Sequence, residues 1–222
     1  MPAPQTPQQY SLQYLTQYGH PAPPLPASFP CPVPPQLSLN SPIGICADRR
    51  GLVWVCDTSN NRVLIVNAAM DTLEMVLEGP GSSAPSGQNP QFIMPFHITH
   101  HPSKTRIYLT DIGNGRVCVY DYDDTTTAVF VNCFAGGENG IEPLADPNGI
   151  TVLQESDGSY SVMVADEFFH YPGEMANRIV RFSEDGISLS QFQSIVHSDG
   201  NTTMLKWPQG LSCDQLGRLY IA

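Results

Sequence analysis

Lysine is nearly missing from this chain. Only Lys104 and Lys206 occur, and Lys and Arg together number 10 against 21 Asp and Glu in 222 residues. Nucleic-acid binding needs cationic side chains to neutralise phosphates, so a formal charge of −11 argues against that class of partner. An anionic membrane surface is repelled for the same reason. No apolar run approaches the roughly 18 residues of a membrane span. The N-terminal stretch has neither the basic n-region nor the apolar h-region of a secretory signal, and its first Lys or Arg is Arg49, unlike a transit peptide. A cytoplasmic location is therefore expected, with neutral or basic proteins, or small molecules, as partners. The six cysteines form no C-x-x-C pair, and several lie inside apolar runs such as 53–56 and 117–119. They are expected to be reduced core residues, not a zinc site or a disulfide framework.

Residues 1–36 also lack every charged type, Asp, Glu, Lys and Arg, yet hold eleven prolines and the aromatics Tyr10, Tyr14, Tyr18 and Phe29. Proline fixes φ and removes a backbone donor, so this stretch reads as an extended, largely polyproline II tail. Two readings stand for it: a disordered linker, or a strap laying its aromatics along a folded surface.

From residue 37 onward the sequence repeats. Pro42-Ile-Gly44-Ile leads through Asp48-x-x-Gly51 to Val53-Trp54-Val-Cys-Asp57 and Asn61-Arg62-Val63. Pro95-Phe-His97-Ile leads to Arg106-Ile-Tyr108-Leu-Thr-Asp111 and Gly115-Arg116-Val117. Pro147-Asn148-Gly149-Ile150 leads to Tyr160-Ser-Val-Met-Val-Ala-Asp166 and Asn177-Arg178-Ile179. A fourth unit opens with Pro208-Gln-Gly210-Leu211 and ends at Ala222. The leading prolines are spaced 53, 52 and 61 residues apart (95 − 42, 147 − 95, 208 − 147). Each full unit holds three β runs and a weaker fourth, such as 72–77 or 128–131, which is the arithmetic of a propeller blade. The fold class is therefore all-β: a propeller of four-stranded blades at about 37–90, 91–143 and 144–203, with the start of a fourth at 204–222.

The unit resembles the NHL repeat: a P-x-G-I strand, a turn, an aromatic-bearing strand ending in Asp, then N-R-V/I. The resemblance implies a propeller usually of six blades, used as a platform for protein or RNA. On that reading the chain is an incomplete ring, closed by further blades or by another subunit.

A carboxylate and a guanidinium recur in each unit as Asp57 with Arg62, Asp111 with Arg116, and Asp166 with Arg178. An active site needs one unique constellation, so repeated pairs are expected to brace turns and carry no chemistry. The third unit departs from the others: its Asp-to-Arg spacing is twelve, not five, and the insertion carries Phe168, Phe169, His170 and Tyr171. Aromatic loops on rigid scaffolds are where binding concentrates, so these four are the candidate partner-binding residues. His97, His100 and His101 cluster near one strand, but alternation puts His100 on the opposite face and prevents convergence on a metal.

The motif around Asn148 also looks like the metal-binding strand of the gluconolactonase/regucalcin and strictosidine-synthase-like propellers, and that resemblance implies a metal-dependent hydrolase or lyase. Asn148 is the weak metal candidate. The equivalent slots are Ile43, Phe96 and Gln209, a poor set for a hard cation. No catalytic residue and no cofactor are expected. Asn201-Thr202-Thr203 fits a glycosylation acceptor and, lacking a secretory signal, is read as a chance match. The reading is a non-enzymatic scaffold for protein partners, with the hydrolase or lyase as the alternative.

Overall fold

The computed structural model describes residues 38–69, 72–125, 128–169 and 175–222, without the side chains of 168, 169, 175 and 176. The chain divides into a unit of residues 1–39 and a unit of residues 40–222. The architecture below is that of the second unit. The Pro-rich tail, 1–36, lies outside the described residues.

Three four-stranded antiparallel sheets follow one another along the chain. The first contains β1 (Pro42–Ala47), β2 (Val53–Asp57), β3 (Arg62–Val66) and β4 (Leu73–Leu77) in that order. The second contains β5 (Pro95–His100), β6 (Arg106–Asp111), β7 (Arg116–Tyr122) and β8 (Ala128–Phe134). The third contains β9 (Pro147–Gln154), β10 (Tyr160–Phe169), β11 (Met175–Ser183) and β12 (Ser188–Phe192). Each repeating unit thus forms one sheet, as its three strong β runs and weaker fourth predict. Two hairpins complete the fold: β13 (Ser194–Val196) with β14 (Thr202–Met204), and β15 (Leu211–Cys213) with β16 (Leu219–Ile221). The second hairpin holds the opening strands of the fourth unit. The first is an addition that the repeat pattern does not announce.

Alternation along each strand makes the stack. In β6, Ile107 and Leu109 join Trp54, Cys56, Val63 and Ile65 in one core between the first and second sheets. Tyr108 points the other way, to a core with Ile150, Val152, Val162, Val164, Val180 and Phe182 of the third sheet. A smaller cluster of Met163, Ala165, Ile179 and Leu211 joins the third sheet to β15. A strand that feeds two cores reads as a nearly continuous apolar run, because period-2 alternation exposes neither face to water. Leading strands lie against leading strands. A Cβ on Gly44 of β1 would stand 2.5 Å from the Phe96 carbonyl oxygen, and one on Gly149 of β9 would stand 2.7 Å from that of Gln209. Glycine at 44 and 149 is a packing requirement, since a Cβ at either would run into backbone of the neighbouring sheet. His97 occupies the same slot in β5, and there the ring fills the space, its Nδ1 3.4 Å from the amide nitrogen of Ile150.

The turns follow from sequence as well. Asp48 accepts from the amides of Arg50 (2.9 Å) and Leu52 (3.0 Å), while Gly51 takes φ +82°. The Asp48 carboxylate also receives the Trp54 indole N–H at 3.0 Å.

One expectation fails. Cys118 and Cys133 are not reduced core thiols: they are joined by a disulfide, as directly opposed partners on β7 and β8 with Cα atoms 4.3 Å apart. Cysteine spacing alone cannot show this, because only the β7–β8 register sets the two side chains on one face. Cys46, Cys56 and Cys213 are free.

Candidate functional site

The three recurring aspartates lie on their second strands, Asp57 and Asp111 at the end and Asp166 three residues before it, and all three are fully buried. Each spends one oxygen on the chain entering its own sheet. Asp57 accepts from the amide of Asn40 (2.6 Å), Asp111 from Ile93 (2.8 Å), and Asp166 from Ala145 (3.0 Å) and Asp146 (2.9 Å). The other oxygen takes the arginine opposite it on the third strand: Arg62 Nε at 2.6 Å, Arg116 Nε at 2.9 Å, and Arg178 Nε and Nη2 at 2.9 and 2.7 Å. Asn60 and Asn114 add a further bond each to Asp57 and Asp111. Arg178 reaches on to the carbonyls of Glu142 and Pro143 at 3.0 and 2.8 Å. Burial raises the Asp111 carboxyl above its ordinary range, against the donors that surround it. Both oxygens of each carboxylate are thus held by donors from the entering chain and from the arginine. This geometry braces loops.

The histidines go to three different places. His97 lies against the third sheet, as above. His100 Nε2 pairs with the Tyr122 hydroxyl at 2.7 Å. His101 is buried, accepts at Nδ1 from the amides of Ser103 and Lys104 at 3.0 Å each, and meets Glu184 through Nε2 at 2.7 Å. Among the described residues no three His, Cys, Asp or Glu side chains gather where a metal would sit.

What distinguishes the third sheet is the top of its β10–β11 hairpin. In the first two sheets the corresponding hairpin closes at the ion pair, Asp57 opposite Arg62 and Asp111 opposite Arg116. In the third, pairing continues past Asp166 and Arg178 through Glu167–Asn177, Phe168–Ala176 and Phe169–Met175. The insertion is a stem carrying the segment that follows it. Of the candidate binding residues, Phe168 and Phe169 lie on this stem, with side chains outside the described residues; His170 and Tyr171 lie wholly outside them.

At the root of the stem is a buried polar cluster. Glu167 Oε2 accepts from the amide groups of Asn148 (2.7 Å) and Gln209 (3.4 Å), the residues at the matching slot of the third and fourth units. Asn148 thus presents its N–H2 to a carboxylate and to the Asp146 carbonyl (3.3 Å). Glu167 was not legible from the repeat, because its counterparts are Thr58 and Ile112 and no pattern marks the position.

A family model for the NHL repeat matches residues 39–66. No curated protein sequence matches the chain. Solved structures do. A protein from Lactobacillus plantarum matches at 14% identity and TM-score 0.52, over 81% of this chain and 47% of that one. Virginiamycin B lyase from Staphylococcus aureus matches at 15% and 0.50, over 82% and 62%, and hydrazine synthase of Kuenenia stuttgartiensis at 14% and 0.53, over 82% and 42%. The chain thus spans about half the length of the structures it matches, and identities this low speak to fold alone. The four-stranded sheets and the β-propeller neighbours give this chain a β-propeller-type fold, with a match to the NHL repeat at residues 39–66.

Proposed function

We propose that this chain is a non-enzymatic interaction scaffold whose sheets hold the third hairpin out towards a protein partner. The observation that carries the reading is the stem: three cross-strand pairs beyond the Asp166–Arg178 ion pair, where the other two hairpins stop at the pair. A bonded stem lowers the ordering entropy that a free loop would lose on binding. Phe168, Phe169, His170 and Tyr171 are the residues proposed to meet the partner. Protein partners are favoured over nucleic acid or membrane by the charge of −11. Ile45 on β1 and Leu216 in the β15–β16 turn, 58% and 77% exposed, are proposed to be covered by further NHL-type blades or a second subunit.

The test replaces residues 168–171 by serine in the full chain. Proteins cross-linked to wild type in the source cells are then compared with those cross-linked to the variant. The scaffold reading expects the wild-type set to be lost with an almost unchanged melting temperature; an unchanged set contradicts it.

A second reading, a metal-dependent hydrolase or lyase, gains one point from the structure, since Glu167 puts a buried carboxylate beside Asn148. A screen of lactones and esters with divalent ions decides it: turnover lost in Asn148→Leu favours the enzyme, and absence of turnover favours the scaffold.

A further inference from the structure

Two buried oxygens on neighbouring strands lack donors. Glu167 and Asn177 are directly opposed on β10 and β11, 6% and 7% exposed. Neither Glu167 Oε1 nor Asn177 Oδ1 has a hydrogen-bond partner among the described residues. Directly opposed residues of an antiparallel pair project from the same face within a few ångströms of each other. In this amide orientation the two acceptors cannot satisfy one another, and a buried oxygen left bare costs free energy. The first sheet shows what is missing. There Asn61, the residue before Arg62, takes the amide N–H of Met94 at 2.8 Å through its Oδ1. Asn177 stands before Arg178 in the same way, but the longer hairpin has moved it into a strand, and no amide among the described residues reaches it.

The local charge says what would fit. Asp166 is matched by Arg178, whereas Glu167 receives only neutral amides. Burial, followed by the negative charges of Asp166 and Glu167, holds the nearby Asp146 carboxyl above its ordinary range. Oxygen-only donors in a negative pocket suit a hard cation.

We propose that Glu167 Oε1 and Asn177 Oδ1 are ligands of one hard, oxygen-bound cation that locks the root of the third hairpin, with water or backbone oxygens filling its remaining positions. The inference depends on neither reading of the function, because it concerns occupancy and not turnover or partner capture.

The test uses the full chain, freed of metal by chelation and exhaustive dialysis. It is then titrated separately with calcium, magnesium, sodium and potassium chloride while the melting temperature is followed, and its ion content is measured. One cation is expected at close to one per chain, raising the melting temperature of wild type with saturation. Glu167→Gln and Asn177→Leu should weaken the response at least ten-fold, and Glu74→Gln, an exposed carboxylate elsewhere, should leave it intact. The divalent and monovalent arms tell the two kinds of hard cation apart. Equal responses of wild type and Glu167→Gln to every salt would overturn the proposal. So would a high-resolution map with only water between the two oxygens. If Glu167→Gln does not fold, the ion content of wild type decides, and a value near zero overturns it.

Discussion

The Thr110 hydroxyl donates to the Asn148 carbonyl at 2.8 Å, from the second strand of one sheet to the first strand of the next. Thr58 does the same between the first and second sheets, reaching the Pro95 carbonyl at 2.8 Å. Thr110 also accepts the His97 amide at 2.9 Å, so one buried hydroxyl serves two leading strands. Thr110→Val keeps the shape and leaves a buried amide and carbonyl without that partner. A loss of about 1–3 kcal/mol is expected in chemical denaturation, with Thr110→Ser retaining most of the stability.

Glycine at the leading-strand slot makes a paired prediction. A Cβ on Gly149 would meet Gln209 O at 2.7 Å and Leu211 N at 2.8 Å, both backbone atoms that cannot swing aside. Gly210, its counterpart in the fourth unit, has only the Ala222 Cβ at 3.4 Å. Gly149→Ala should therefore cost about 1–3 kcal/mol, while Gly210→Ala is nearly neutral. Equal costs would contradict the sheet-against-sheet packing.

Acidification should destabilise the chain through its histidines. His97, His100 and His101 are all held below the ordinary imidazole value of 6.5, in each case first by burial. Their folded forms prefer to be neutral, so the unfolded state binds more protons as pH falls below about 6.5. The contribution is complete above that value and is lost progressively below it. For His101 the reason is visible, since protonating Nδ1 would cost the two amide bonds it accepts. Melting temperature followed from pH 7.5 to pH 5 should fall, and His101→Gln should flatten part of the slope.

The Cys118–Cys133 bridge closes a segment of 15 residues between adjacent strands. Peptide mapping without reductant should recover the two cysteines linked. Reduction should cost about 2–4 kcal/mol. Two free thiols would contradict the bridge.

Much of the fold was legible because each strand carries its own marks: a leading proline, alternating apolar residues, a terminal aspartate and a following arginine. Those marks are local and repeat, so they survive without knowledge of which strands touch. What was hidden depends on register and on contacts across the chain. Cys118 meets Cys133 only because β7 and β8 pair as they do, with a shift between Val119 and Tyr120. Glu167 looked like one more residue of an insertion until the fold brought Asn148 and Gln209 to it. The β13–β14 hairpin leaves no periodic trace, being only three residues on each side.

The central claim is that the repeated aspartate–arginine pairs brace the chain entering each sheet and stabilise the fold. A double-mutant cycle on Asp111 and Arg116, read by denaturant unfolding, tests it directly. Asp111→Ala alone should cost about 3–5 kcal/mol by stranding a buried guanidinium, and Asp111→Leu combined with Arg116→Met should recover much of that loss. An Asp111→Ala protein that unfolds at the wild-type denaturant concentration would contradict the account.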